Sequence, residues 1–584
     1  MTAEVSTGST EPAVSGETAA EDAGDTAGAP GRTGTNDASE TVKSTESTET
    51  GEVTGTTGTS EAAAADERGA EEGGRLGRYR AKAWNWAKPR LRVPGPHAIA
   101  VTLITLAFAA LYATYSLVRH YHGETGLLDL GIYDQALRSY SHFQPPHAPI
   151  VAILGPDSLG KLQWSDHFTP ILAVLAPLYW IHDSPSTLLV AQAFLFALGI
   201  PPLWVFTRRA LGAVAAYFVV IAFGVSWTIQ GALWFPFHEV AFAVPIMAWM
   251  LERFQAGRYR QAALISLLLL GVKEDLGLVV AVLGGYLIWR GCVRWGVGLL
   301  IGGPAATMFI TKVIIPASGG SPNRDWSYYQ FGKNPAELGK HLAAHPLASM
   351  QYMLVPEVKA NTLLWLFAPM LFLALRSPLV LLSVPLLAER MLSSNGLYWN
   401  TGYHYNAFVV VPLFCAAVDG ARRFQLPERV AERLPGRLAP WPGRLFGPAW
   451  AAVVAVIALV TLPTWPMWQE MTTRSWWHPY TPRVRQMQEA LRHVPSGVWV
   501  DASNGPGIML TDRDKVQLWS MPGDRSHYTA PWIFADVGQW TFPFQDLDQQ
   551  KRRVEQLKQR GYKVVYDKNG WVVLHNPDGP QELA

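Results

Sequence analysis

The sequence is short of charge and of cysteine. Asp, Glu, Lys and Arg make up 16% of its 584 residues, against about 25% in soluble globular chains, so it does not read as an ordinary soluble enzyme. Its two cysteines, Cys292 and Cys415, are too few and too scattered for a disulfide framework. It contains no Walker loop, no HExxH and no GxSxG string, which removes the motif-borne routes to nucleotide, zinc-peptidase and serine-hydrolase chemistry. Residues 1–75 contain no aromatic residue. Rich in Ser, Thr, Gly, Ala and Glu, they cannot bury enough apolar area to offset their ordering entropy. They read as a disordered acidic cytoplasmic tail, and they lack the basic start and short apolar core of a cleavable signal.

What is abundant is apolar surface. Hydrophobic residues reach 49% and gather in blocks of about 18–22, the length that crosses the hydrocarbon core as a helix. The pattern predicts an α-helical polytopic membrane protein. Basic residues set its orientation. Residues 76–96 form a basic juxtamembrane segment, and Arg208, Arg209, Arg253, Arg258, Arg260, Arg290, Arg294 and Arg376 follow alternate spans. Positive loops stay inside, so the N-terminus is expected in the cytoplasm, with about eleven transmembrane helices across 97–466 and a large first outer loop at 119–168. "FTPILAVLAPLYWI" is too short to cross unaided and is expected along the interface.

This topology puts four polar groups of residues on the outer face. The loop after the first span carries Asp129, Asp134, Asp166 and His167; "WFPFHEVAF" carries His238 and Glu239; "GVKEDLG" carries Lys273, Glu274 and Asp275; "SSNGLYWNTGYHYNA" carries Tyr403 and His404. The third is the most informative. About a dozen apolar residues on either side cannot carry three ionisable groups far from the bilayer, and such groups at membrane depth mark functional sites by default. Bland alternatives stand beside each. Lys273 and Asp275 could simply neutralise each other, His238 and Glu239 could pair locally, and Asp129 could be a helix N-cap. Asp134 and Arg138 could pair one turn apart, with Asp134 acidified as a result. On one helix Asp129 and Asp134 differ in direction by about 140°, so the two would not form a dyad.

Residues 480–577 read as a small extracytoplasmic α/β domain. "RVRQMQEALRHV" and "DQQKRRVEQLKQRGY" have helical patterns; "GVWVDAS", "KVQLWS", "PWIFADV" and "YKVVYDKNGWVVLHN" read as strands, the last a hairpin turning at "KNG", with "NGPG" as a turn.

The strings "DLGIYDQALRSY", "SDHFTPILAVLAPLYWI", "WFPFHEVAF", "GVKEDLGLVV" and "KVIIP", in that order over most of residues 100–420, resemble the bacterial membrane family catalogued as domain of unknown function 2079. That family is similar in layout to the C-type (GT-C) glycosyltransferases, which take sugars from polyprenyl-phosphate carriers outside the cytoplasm and carry an acidic motif in the first outer loop. The resemblance implies a GT-C-like fold, a lipid-linked sugar donor and an envelope glycan acceptor. It puts Asp129 and Asp134 at the catalytic acidic motif. The residues expected to bind substrate are Lys273, Glu274, Asp275, His167, His238, Glu239, Tyr403 and His404. Mg²⁺ or Mn²⁺ could assist without being required by the sequence, and membrane lipids, not nucleic acid, are the expected surroundings. Two other classes fit the same charges: a transporter or flippase for a lipid-linked or small polar substrate, and a non-catalytic envelope-assembly protein.

Overall fold

The computed structural model describes residues 95–154, 162–321, 326–424, 441–521 and 529–579. The acidic tail, most of the basic segment at 76–96 and the basic connection beyond Phe424 lie outside the described residues. The fold is mostly helical and ends in a mixed five-stranded sheet.

Five helical runs among the described residues are long and apolar enough to cross a membrane: Pro96–Tyr121, Pro185–Leu211, Ala213–Trp234, Val293–Ala317 and Leu445–Thr464. The first is one helix, α1 (Pro96–Tyr121). Others are composite. The second joins α3 (Pro185–Ala197) to α4 (Ile200–Leu211), and the third joins α5 (Ala213–Gly224) to α6 (Trp227–Trp234). The fourth continues α10 (Val293–Phe309) through a π-helical turn at Ile310–Ile314. Most of the remaining apolar chain forms shorter helices, among them α7 (Ala243–Gln255), α8 (Tyr259–Leu267), α9 (Gly277–Trp289), α11 (Glu357–Phe367), α12 (Val384–Leu392) and α13 (Val410–Arg422). The expected eleven spans thus exceed the five helices of spanning length. Hydropathy records how many apolar residues a stretch holds, not whether its backbone stays helical. In the expected eighth span Leu371 and Phe372 take positive φ values of 55° and 56°, which breaks "FAPMLFLALR" into 3₁₀ turns.

Helices α9 and α10 form a hairpin on facing glycines. A Cβ at Gly284 would sit 2.5 Å from the Leu300 nitrogen, and one at Gly303 would sit 2.2 Å from the Gly277 carbonyl oxygen. Small residues let the two backbones touch, which fixes where α9 begins, directly after "KED". The segment Pro170–Tyr179 is a short apolar run, with Val174, Trp180 and Ile181 exposed on and beyond it.

In the outer loop α2 (Leu127–Ser141) carries both candidate aspartates. The C-terminal sheet has the order β2-β1-β3-β5-β4, with β1 (Trp499–Ala502), β2 (Lys515–Leu518) and β3 (Trp532–Asp536) parallel and β5 (Trp571–His575) and β4 (Lys563–Lys568) added as an antiparallel hairpin. The hairpin turns on Asn569 and Gly570, at φ 55° and 83°, as "KNG" predicts. Helices α14 (Pro482–Leu491) and α15 (Leu547–Gln559) match the two helical patterns. The stretch "NGPG", expected as a turn, is instead a short helical turn, Asn504–Gly507. It packs on the outer loop. The Asn504 Oδ1 accepts the Leu128 N–H at 2.9 Å, and Gln135 Nε2 donates to the Val516 carbonyl at 2.9 Å. Sheet and helices therefore belong to one unit, Pro96–Ala584.

Candidate functional site

Asp129 lies in the first turn of α2, whose N-cap is Gly126 and makes no side-chain cap bond. The N-cap role considered for Asp129 does not hold, because the Leu128 N–H is met by Asn504 from the C-terminal part of the chain. This leaves the Asp129 carboxylate, 34% exposed, facing His238 Nε2 at 3.7 Å. His238 is fixed at its other nitrogen. Its Nδ1 lies 2.9 Å from the Pro236 carbonyl oxygen, which can only accept, so Nδ1 carries a proton and Nε2 is the nitrogen turned to Asp129. Gln192 Oε1 accepts the His238 backbone N–H at 2.9 Å.

His404 stacks on His238 with ring centroids 3.7 Å apart and planes 17° off parallel. Phe235 lies against both rings and against Tyr403. Burial, followed by the charge of His238 and Lys273, keeps the His404 imidazole neutral, well below its ordinary pKa, and its Nδ1 is buried with no partner. The loop that presents Tyr403 and His404 is held by Arg390 on α12, which donates to the Tyr398 and Tyr405 carbonyls and to Asn406 Oδ1 at 2.9–3.1 Å.

His238 and Glu239 do not pair with each other. Glu239 accepts from the Tyr133 hydroxyl on α2, so the two neighbours grip the same helix at two points. The "KED" residues also divide. Lys273 Nζ is 3.9 Å from Asp275, as the self-neutralising reading had it. Glu274 instead pairs with His167, Nδ1 to Oε1 2.7 Å, and accepts the Phe168 N–H at 3.3 Å. Burial works against charge on His167, but Glu274 and Asp166 outweigh it and push its pKa up to about 10. Glu389 of α12 lies within electrostatic reach of Asp275, and burial, followed by the charge of Asp275, holds its carboxyl well above the ordinary range. Lys273 is 12% exposed at its side chain and feels Glu239 as well as Asp275 and Glu274, while Tyr405 lies within electrostatic reach of both Lys273 and Asp129. Asp129, His238, Glu239, Lys273, Glu274, Asp275, His167, Tyr403 and His404 are thereby linked into one cluster drawn from four distant chain segments.

Asp134 stands apart. It is fully buried and accepts from Arg138 at 2.8 Å and from the Tyr179 hydroxyl at 2.6 Å. The expected pairing with Arg138 is present, but its expected acidification is not. Burial outweighs Arg138 and holds the carboxyl above its ordinary range.

The family described as "Predicted membrane protein (DUF2079)" matches residues 119–573. The chain belongs to the DUF2079 family. Its match runs from the end of α1 through the sheet, so it takes in every residue of the cluster. No curated protein matches the chain. Among solved structures, ArnT from Cupriavidus metallidurans bound to undecaprenyl phosphate is similar at 13% identity and a TM-score of 0.46, over 83% of the DUF2079 chain and 100% of that one. Its apo state gives 14% and 0.44 over the same shares. The apo oligosaccharyltransferase of Archaeoglobus fulgidus gives 13% and 0.32 over 74% and 69%. At TM-scores below 0.5 these likenesses carry no argument about chemistry.

Among the described residues, no group of three or more His, Cys, Asp or Glu side chains is arranged to hold a metal ion. Sequence reasoning missed Glu389, Arg390 and Asn504. The first two had a usable signal: "PLLAERML" sets an acid and a base inside an apolar run, the feature that drew attention to "KED". Asn504 had none, since its partner is 376 positions away.

Proposed function

We propose that this DUF2079 protein is a GT-C-like glycosyltransferase that moves a sugar from a polyprenyl-phosphate donor to an envelope acceptor on the extracytoplasmic side. The observation that carries the reading is the Asp129–His238 contact beside the Lys273 and His167 cations. A partly exposed carboxylate with an oriented imidazole behind it suits a general base. Neighbouring cations suit a leaving phosphate.

The step balances as follows. The acceptor hydroxyl oxygen bonds to the anomeric carbon, the bond from that carbon to the phosphate oxygen breaks, and polyprenyl phosphate leaves with the electron pair. Asp129 takes the hydroxyl proton. His238, anchored through Nδ1, forms the wall beside that carboxylate. Lys273 and His167 offset the charge on the departing phosphate. A single displacement of this kind inverts the anomeric centre. Tyr403 and His404 form an aromatic wall for the sugar, while Glu274 and Asp275 hold the two cations. Asp134 positions α2 and does not touch substrate.

A transporter reading is favoured by one observation, the Asp275 and Glu389 carboxyls within electrostatic reach of each other and of Lys273, since buried acids beside a cation also suit ion movement. Purified protein in nanodiscs, supplied with a panel of polyprenyl-phosphate sugars, should release polyprenyl phosphate and a glycosylated acceptor. Uptake of substrate into proteoliposomes with no release from any donor would replace the enzyme with the transporter.

A further inference from the structure

We infer that the opposite end of the helical body holds a second binding site, one that takes a phosphate-bearing anion, either an anionic phospholipid headgroup or free phosphate. Four helical runs start beside the cluster and finish together. The α3–α4 run ends at Leu211, α7 begins just after the His238 turn and ends at Gln255, α9 begins after "KED" and ends at Trp289, and α13 follows the His404 loop and ends at Arg422. Between their last turns is a cavity of about 380 Å³, whose lining includes Arg209, Arg290, Arg422, Arg423, Asp419 and Gln255.

Cations complement the negative ends of helices, and that accounts for arginines at these termini but not for their donors. Asp419 is saturated: Arg422 bonds one oxygen at 2.9 Å, while Arg423 and the Ser377 hydroxyl each bond the other at 2.7 Å. Arg209 spends one nitrogen on Glu252 at 2.6 Å. Arg290 has only the ring faces of Phe254 and Trp289, at 5.9 and 5.2 Å, and among the described residues no carboxylate pairs with it. Each guanidinium offers five N–H donors, so four of them against two used carboxylates, Asp419 and Glu252, leave a surplus of positive charge and of donors. Gln255 adds a buried Oε1 with no partner while its Nε2 donates to the Phe206 carbonyl at 2.9 Å. That oxygen suits a headgroup hydroxyl.

Arginine forks match phosphate oxygens. Trp289, on the cavity wall, is 63% exposed, which gives acyl chains an apolar flank beside the charged floor. Basic pockets between spans at the basic end of a membrane protein suit anionic lipid. The inference does not depend on the transfer chemistry at the other end.

The test uses the full chain in detergent, with native mass spectrometry. Phosphatidylglycerol should form a one-to-one adduct that phosphatidylcholine does not replace. The adduct should weaken roughly tenfold in Arg290→Gln and in Arg423→Gln and be unchanged in Lys340→Gln, which alters an exposed side chain on Pro335–Ala344. Millimolar inorganic phosphate decides the source. If it binds in the same arginine-dependent way while phosphatidylglycerol does not, the occupant is free phosphate. A photoreactive phosphatidylglycerol on the wild type, which needs no variant to fold, should label the peptide around Trp289 and Arg290. The inference is overturned if neither probe binds stoichiometrically, if the arginine variants bind like wild type, or if labelling and binding map elsewhere.

Discussion

The first turn and the middle of α2 each present an aspartate, and the two can be compared directly. Asp129 is one-third exposed, has no arginine within salt-bridge distance among the described residues, and faces a histidine at 3.7 Å. Asp134 is fully buried and takes hydrogen bonds from Arg138 and Tyr179. The first turn has a carboxylate open to solvent; in the middle of the helix the carboxylate is tied to the surrounding structure. Residue type and proximity in sequence do not separate a base from a brace. What separates them is how many donors the fold has already spent on each.

The largest effect should come from Asp129→Asn, which keeps shape and removes basicity. It should lower transfer by about 10²–10⁴ with little change in melting temperature, read by turnover and thermal unfolding side by side. Asp134→Asn should not reproduce that loss in the fraction that folds. Equal losses in the two would erase the comparison.

A third carboxylate extends the contrast. Asp501 on β1 is buried like Asp134, but among the described residues it accepts only the Ala530 N–H, and its other oxygen has no partner there. Burial pushes its carboxyl up to about 7, against weaker pulls from that N–H and from Arg553. The folded protein therefore holds this proton more tightly than the unfolded chain. The stability it contributes is present below about pH 4 and is lost as pH rises through about 7. Asp501→Asn should remove that loss and stabilise the protein above pH 7 by as much as about 4 kcal/mol, seen as a flatter melting temperature between pH 4 and 8. A wild-type melting temperature that climbs over that interval, with no flattening in the variant, would contradict the assignment.

Asp134→Ala should act in the opposite sense. Removing one partner of a buried pair costs about 3–5 kcal/mol. The low end is expected here, since Arg138 keeps Asp183 at 2.8 Å. The smallest effect belongs to Asn504→Ala, at about 1 kcal/mol for a lost cap. Hydrogen exchange should localise it to the start of α2; a change spread evenly over the sheet would mean that Asn504 is not acting as a cap.

The sequence carried the parts of the molecule that depend on local pattern. Short apolar runs between turn residues marked β1 to β5, "KNG" marked a turn, and charges inside apolar runs marked Lys273, Glu274 and Asp275. Pairings between distant segments were not legible. Nothing near His167 announces Glu274, 107 positions on, and the two histidines that stack, His238 and His404, lie in separate motifs. Helix continuity was equally hidden, because the breaks at Leu371 and Phe372 sit in residues that suit a helix.

The borrowed cap on α2 also sets an order of assembly. The helix that presents Asp129 lies in the first quarter of the chain, yet the group that satisfies its Leu128 N–H sits at Asn504. A nascent chain can form its spans and bring "HE" and "KED" toward each other while that terminus stays open. The start of the helix closes only after translation has passed the first strand of the sheet. A chain that ends before Asn504 therefore leaves the Leu128 N–H, one residue from Asp129, without this cap.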